Sequence, residues 1–290
     1  MLKRSGLYAL LMLSVCAISV LSLRAISAEA GSQAAVGLAA GTGWKYRVMA
    51  HELPDVDNLV VARDGSLYAT QELPPGLAKV IQLRHGEVRT VISGLSRADG
   101  LLLYGKFLYI TEGTATGRVL EYDLSAKKKR VLATLNRPDG IDMLPDGDLV
   151  VSEDTINGRL LRVHRTGRKA VEVIFGGLSR PEGLVVRADG AVIFAETETG
   201  RVLSYKDGEV NVVVDDLDEP DQVEIAPDGA LWIAEDVSEG RLLRLKDGAL
   251  EAVLSGLRYP QGMAFGADGT VWLAEQGRQR ILVIHRQESR

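Results

Sequence analysis

The stretch Ala226-Pro227-Asp228-Gly229-Ala230-Leu231-Trp232-Ile233-Ala234-Glu235 carries the reading of the whole chain. Asp-Gly between two apolar runs marks a hairpin, and a type I′ turn there needs positive φ at both central residues. The phrase returns. Further turns read Asp64-Gly65, Asp146-Gly147, Asp189-Gly190 and Asp268-Gly269, with Gly105 alone in the second copy. The following apolar strands align as Leu67-Tyr68-Ala69-Thr70, Leu108-Tyr109-Ile110-Thr111, Leu149-Val150-Val151-Ser152, Val192-Ile193-Phe194-Ala195 and Val271-Trp272-Leu273-Ala274. A third strand opens with Gly-Arg in four copies, at Gly117, Gly158, Gly200 and Gly240, and a fourth follows a polar turn such as Gly208-Glu209-Val210. A leucine closes each unit, at 53, 95, 135, 178, 217 and 257, at intervals of 39 to 43 residues. Four short strands in a period of about 40 residues describe a β-propeller blade.

Six copies are present, and the last stops after Gln279–His285 without a fourth strand. An orphan strand, Trp44 to Leu53, precedes the first. The expected fold is therefore all-β: a six-bladed β-propeller over 43–290, with four antiparallel strands per blade. The N-terminal strand is expected to pair with the last blade, closing the ring and removing exposed sheet edges.

Each blade's first strand, innermost in a propeller, starts with one polar position: Asp57, Asp99, Asp139, Glu182, Asp221 and Gln261. These side chains should converge at one mouth of the channel. Crowded carboxylates repel one another, and burial adds a desolvation cost. A hard divalent cation relieves both, Ca²⁺ best of all because it accepts about six to eight oxygen ligands. Protonated carboxyls, usable in acid–base chemistry, are a second relief. Neutralisation by Arg97, Arg137 and Arg180, each two residues before one of the acids, is a third.

A second column, Gln71, Glu112, Glu153, Glu196, Glu235 and Glu275, ends the second strands and lies at the same face. If the turns fix the pairing, Asp139 lies opposite Asp154 and Glu153 points to the other sheet face, so this column is read as structural. Trp232 and Trp272 share a column with Tyr68 and Tyr109 and are expected to pack between blades. None of His51, His85, His164 and His285 falls at the acidic mouth, and no Ser/His/Asp arrangement, phosphate loop or zinc-spaced cluster is present.

The chain has 290 residues, 46% hydrophobic and 25% charged, with net charge −5 and pI about 5.5. It has ample material for a core, and no basic stripe for nucleic acid. Lys3 and Arg4, the apolar run Leu7 to Leu23 and the small residues after Arg24 form the layout of a signal peptide over 1–28. Export to the periplasm or medium follows, without a membrane span after cleavage; an uncleaved anchor is the alternative. Cleavage removes the lone Cys16, and with it thiolate chemistry. Residues 29–42, small and Gly/Ala-rich, read as a flexible linker.

The phrases Arg137-Pro138-Asp139-Gly140-Ile141, Ala226 to Glu235 and Gly240-Arg241-Leu242-Leu243-Arg244-Leu245 resemble the SMP-30/gluconolactonase/LRE-like propeller superfamily. Strictosidine-synthase-like and NHL-type propellers are similar. The resemblance covers residues 44–287 and implies a divalent cation at the top of the channel. By position it implies Asp57 as the first-blade ligand, Asp139 and Glu182 as the middle ligands, and Asp221 as ligand and catalytic base or nucleophile. Asp99 is a further candidate ligand. Here Asp stands where the family has Glu, and acids stand for both of its Asn ligands. The cluster is thus more anionic, and the base's titration is coupled to its neighbours. The expected function is an exported, metal-dependent, lactonase-type hydrolase acting as a monomer on a small molecule. A non-enzymatic propeller binding a small molecule, glycan or protein on its acidic face is the alternative.

Overall fold

The structure, a computed structural model, describes residues 37–166 and 171–287. The signal-peptide reading of 1–28 and the linker up to residue 36 lie outside the described residues. Among those described, no helix is long and apolar enough to cross a membrane.

Six antiparallel sheets form six blades, each with four strands, and blade five gains a fifth. The innermost strands are Val56–Val61, Ala98–Tyr104, Pro138–Met143, Pro181–Val186, Pro220–Ile225 and Pro260–Phe265. Trp44–Ala50 pairs antiparallel with Arg280–Arg286 and supplies the outer strand of the last blade. Ala39–Ala40 pairs with Leu254 and Ser255 on the edge of blade five, and Leu38 is buried beside it. The end of the stretch read as linker is thus part of the sheet.

Second strands such as Leu67–Gln71, Leu149–Glu153 and Leu231–Glu235 are buried at every residue, because a neighbouring blade covers each face. The core is accordingly six clusters, one between each pair of adjacent blades. The six unit-closing leucines, Leu53, Leu95, Leu135, Leu178, Leu217 and Leu257, are all buried.

The Asp-Gly turns differ from expectation. At Asp64-Gly65, Asp146-Gly147, Asp189-Gly190, Asp228-Gly229 and Asp268-Gly269 only the glycine has positive φ. Each aspartate instead accepts a hydrogen bond from the backbone two residues on, as Ser66 N to Asp64 Oδ1 (3.0 Å) and Asp148 N to Asp146 Oδ1 (3.1 Å). These are Asx turns followed by one left-handed glycine, a longer hairpin than a type I′ turn. Both-positive pairs occur between third and fourth strands, at His85-Gly86, Asp207-Gly208 and Asp247-Gly248.

Every innermost strand carries a β-bulge at the start, directly at the polar column, for example between Pro138 and Ile141. A bulge re-aims side chains locally. The strands also crowd the axis: a Cβ on Gly140 would meet Glu182 O at 2.6 Å, and one on Gly183 would meet Asp221 O at 2.7 Å. Glycine after the acid lets the strands close to that distance.

Candidate functional site

The bulges bring all six residues of the inner column to one mouth. Asp57, Asp99, Asp139, Glu182, Asp221 and Gln261 line a cavity of about 140 Å³. Pockets that enclose a drug-sized ligand run roughly 300–1,000 Å³. An ion or the reactive end of a small molecule fits here, and little else.

A further column lines the same cavity: Glu72, Gly113, Asp154, Asp236 and Gln276. Each stands one residue after the Gln/Glu column that ends a second strand. The signal was parity: successive strand residues point to opposite faces, so the mouth takes the residue after each glutamate. Asp154 lines the mouth beside Asp139, as the strand pairing predicts, and Glu153 does not.

The glutamates clamp the blades instead. Glu153 Oε1 accepts the backbone N–H of Asn136 (3.0 Å), and Arg159 Nε bonds its Oε2 (2.6 Å). Glu235 takes the N–H of Asp218 (3.0 Å) and the guanidinium of Arg241; Glu196 takes Ser179 N–H (3.0 Å) and Arg201. The Gly-Arg signature is therefore the other half of this clamp. Second-strand hydroxyls tie neighbouring blades: Thr111 Oγ1 donates to Asp139 O (2.6 Å) and Ser152 Oγ to Glu182 O (2.6 Å).

Residues Asp55, Arg97, Arg137, Arg180, Glu219 and Tyr259, just before the innermost strands, all have positive φ between 44 and 54 degrees. This left-handed backbone is strained for non-glycine residues, at about 1–3 kcal/mol each. It turns Arg97, Arg137 and Arg180 into the mouth on the side of blades two to four. Their partners decide the electrostatics. Arg97 pairs with Glu72, Arg137 with Asp154 (2.6 Å), and Arg180 with Asp154 (2.8 Å) and Glu182 (2.5 Å). Among the described residues, Glu182 alone of the inner column is ion-paired to an arginine; Thr197 Oγ1 donates to its other oxygen at 2.8 Å. Asp57 accepts only long contacts from Asn58 (3.4 Å) and Gln276 (3.5 Å).

Eight carboxylates and three guanidiniums thus share one cup. Burial, then Glu72, Asp139 and Asp236, hold Asp57 well above the usual carboxylate range. Burial and then neighbouring carboxylates do the same to Asp99, Asp139 and Asp221. Burial pushes Glu182 up to about 7, against Arg180 and hydrogen bonds from Thr197 and Asp221. Asp236 rises to about 6, again chiefly by burial. Burial raises Asp154 too, but hydrogen bonds from Arg180 and Arg137 outweigh it and leave it below its ordinary value. The cup's charge is unbalanced without protons or a cation.

The donor set fits a hard divalent cation in kind: all oxygen, net anionic, with Asp236 Oδ1 buried and without a hydrogen-bond partner among the described residues. Among those residues, no three His, Cys, Asp or Glu side chains are already arranged around a common point that could hold an ion. Beneath the cup, Gln222 Nε2 donates to Asn58 Oδ1 at 2.5 Å. Further along the innermost strands, Asp142 accepts the backbone N–H of Val186 (2.6 Å), and burial pushes Asp142 up to about 6. Glu224 is driven up to about 8, by burial first and Asp142 second.

The molecule is thus a six-bladed propeller with an acidic cup at one end of its axis. Residues 103–164 match the strictosidine synthase family. Adipocyte plasma membrane-associated protein of Danio rerio is 44% identical over 59 residues, which is 20% of this chain and 14% of that one. Protein STRICTOSIDINE SYNTHASE-LIKE 13 of Arabidopsis thaliana is 34% identical over 93 residues, 30% of this chain and 23% of that one. The matches thus span less than a quarter of these relatives' own length. Among solved structures, a gluconolactonase of Xanthomonas campestris superposes with TM-score 0.72 at 12% identity, covering 84% of this chain and 90% of that one. The chain is thus a six-bladed β-propeller, similar over residues 103–164 to the strictosidine synthase family and similar in fold to a solved gluconolactonase.

Proposed function

We propose that this protein is an exported, divalent-cation-dependent hydrolase of the lactonase type, acting as a monomer on a small molecule at the acidic cup. One observation carries the reading: Asp57, Asp99, Asp139 and Asp221 converge in a 140 Å³ space, none of them ion-paired to an arginine among the described residues. Three arginines stand at that mouth, yet they serve Glu72, Asp154 and Glu182.

Asp57, Asp99, Asp139 and Asp221 would hold the ion, with Ca²⁺ the best match to hard, flexible oxygen donors. Glu182, whose oxygens accept from Arg180 and Thr197, would be a fifth oxygen donor. A divalent cation held there would supply Lewis-acid polarisation of a substrate carbonyl. Asp221 would accept the proton of the attacking water as general base. The narrow cup admits the ester or lactone carbonyl and leaves the rest of the substrate outside.

The test is turnover of a lactone panel by the mature protein after loading with Ca²⁺, Mn²⁺ or Zn²⁺. Metal-dependent hydrolysis that falls by about a hundredfold or more in Asp221→Asn supports the proposal. Absence of turnover with every metal, or full activity in Asp221→Asn, contradicts it. The second reading, a non-enzymatic binding platform, draws on the absence of a ready-made ion cage among the described residues. It predicts ligand binding without turnover.

A further inference from the structure

A larger cavity lies at the opposite face, between blades five and six. It measures about 910 Å³ and is lined by the aromatic rings of Trp44, Trp232 and Phe265. Trp232 is the hub: Trp44 and Phe265 each meet it edge-on with ring centroids 5.4 Å away. In the equivalent positions of blades one and two, Tyr68 and Tyr109 pair their hydroxyls with Gln82 (3.0 Å) and Glu121 (3.1 Å). Trp232 breaks that pattern. It is 2% exposed, and its indole Nε1–H has no hydrogen-bond partner among the described residues. A buried donor left unpaired costs about 1–3 kcal/mol, so this N–H is accounted for only if something accepts from it.

The charges around the groove say what that acceptor carries. Its two acids are already engaged. Asp228 accepts from Arg244 (2.7 Å) and Lys246 (2.9 Å), and Asp268 accepts from Thr270 N (3.0 Å) and Oγ1 (2.9 Å). On the basic side, the Arg286 guanidinium lies 4.9 Å from the centre of the Trp44 ring with 63% of its side chain exposed, and among the described residues its carboxylate contact is a 3.5 Å approach to Glu251. Lys45 stands in the same lining. An aromatic wall, a free donor in its depth and exposed cations at its lip complement a flat ring bearing a carboxylate.

We propose that this groove is a second binding site, separate from the acidic cup, for a small aromatic carboxylate. The ring packs among Trp44, Trp232 and Phe265, an acceptor atom takes the Trp232 N–H, and the carboxylate pairs with Arg286 and Lys45. The volume, within the roughly 300–1,000 Å³ range of small-molecule sites, suits such a ligand.

The test is isothermal calorimetry of the mature protein with benzoate, with benzyl alcohol as the neutral analogue. Saturable binding of benzoate is expected, at least tenfold tighter than of benzyl alcohol. Arg286→Gln, an exposed change that leaves the core intact, and Trp232→Phe, which keeps a ring and removes the N–H, should each weaken benzoate binding by about tenfold or more. Asp221→Asn should leave it unchanged, since the acidic cup lies at the other face. No binding up to millimolar benzoate, equal binding of the neutral alcohol, or wild-type affinity in Arg286→Gln would each overturn the assignment. Equal alcohol binding would identify the groove as an apolar docking face instead.

Discussion

Single side chains along the axis are where this protein departs furthest from ordinary carboxylate behaviour. Glu224 illustrates the sign of the effect. Its folded value of about 8 lies above the unfolded one, because burial and Asp142 penalise the charged form. Its contribution to stability is therefore fully present below about pH 4 and is lost as the pH rises through 8. Glu224→Gln mimics the protonated side chain. It should raise Tm by several degrees at pH 9 and change it little at pH 4, at roughly 2–4 °C per kcal/mol for a domain of this size. A thermal melt series in pH reads this directly, and an equal shift at both pH values would refute it. The inner acids were legible in the sequence because the repeat places one polar residue at the same point of every blade. Asp236 and Glu72 were not. Their column alternates acid with Gly113, Thr197 and Gln276, so no repeated residue type announces it, and only the strand's parity does.

At the level of strands and turns, the glutamates ending the second strands act as clamps. Glu153 is nearly inaccessible, and it holds both a backbone N–H and Arg159. Glu153→Gln keeps an acceptor for Asn136 but drops the charge, leaving a guanidinium without its partner. A loss of about 1–3 kcal/mol is expected, with cation affinity at the cup unchanged. Chemical denaturation and calorimetry separate the two; a stable variant that no longer binds cation would contradict the structural role. Hairpin positions were readable from Asp-Gly, but the turn type was not. The aspartate side chain can satisfy the backbone in an Asx turn as well as adopt a left-handed conformation, and the residue pair alone does not choose between them. The six left-handed residues before the innermost strands likewise include arginine, glutamate and tyrosine, which give no such hint.

For the molecule as a whole, closure and charge dominate. Six interblade clusters make a ring with no single centre, and Trp44–Ala50 is the strand that closes it. Deleting residues 44–50 exposes Arg280–Arg286 as an edge and opens the cluster between blades five and six. The expected outcome is aggregation or loss of the cooperative melt, read by size-exclusion chromatography and calorimetry. A monomer with an unchanged transition would show that closure contributes nothing. The closing strand was legible because the last copy lacks a fourth strand and the first has one to spare. The cup's arginine pairing was not, since Arg97, Arg137 and Arg180 stand equally near the inner acids in sequence and choose other partners in space.

On the proposed function, the axial carboxylates coexist by sharing a divalent cation. Elemental analysis of the purified protein, wild type beside the Asp139→Ala/Asp221→Ala double variant, is the decisive measurement. About one equivalent of divalent metal is expected in the wild type after Ca²⁺ loading and desalting, with that equivalent lost in the double variant. Equal metal content in both proteins, or none in either, would contradict it.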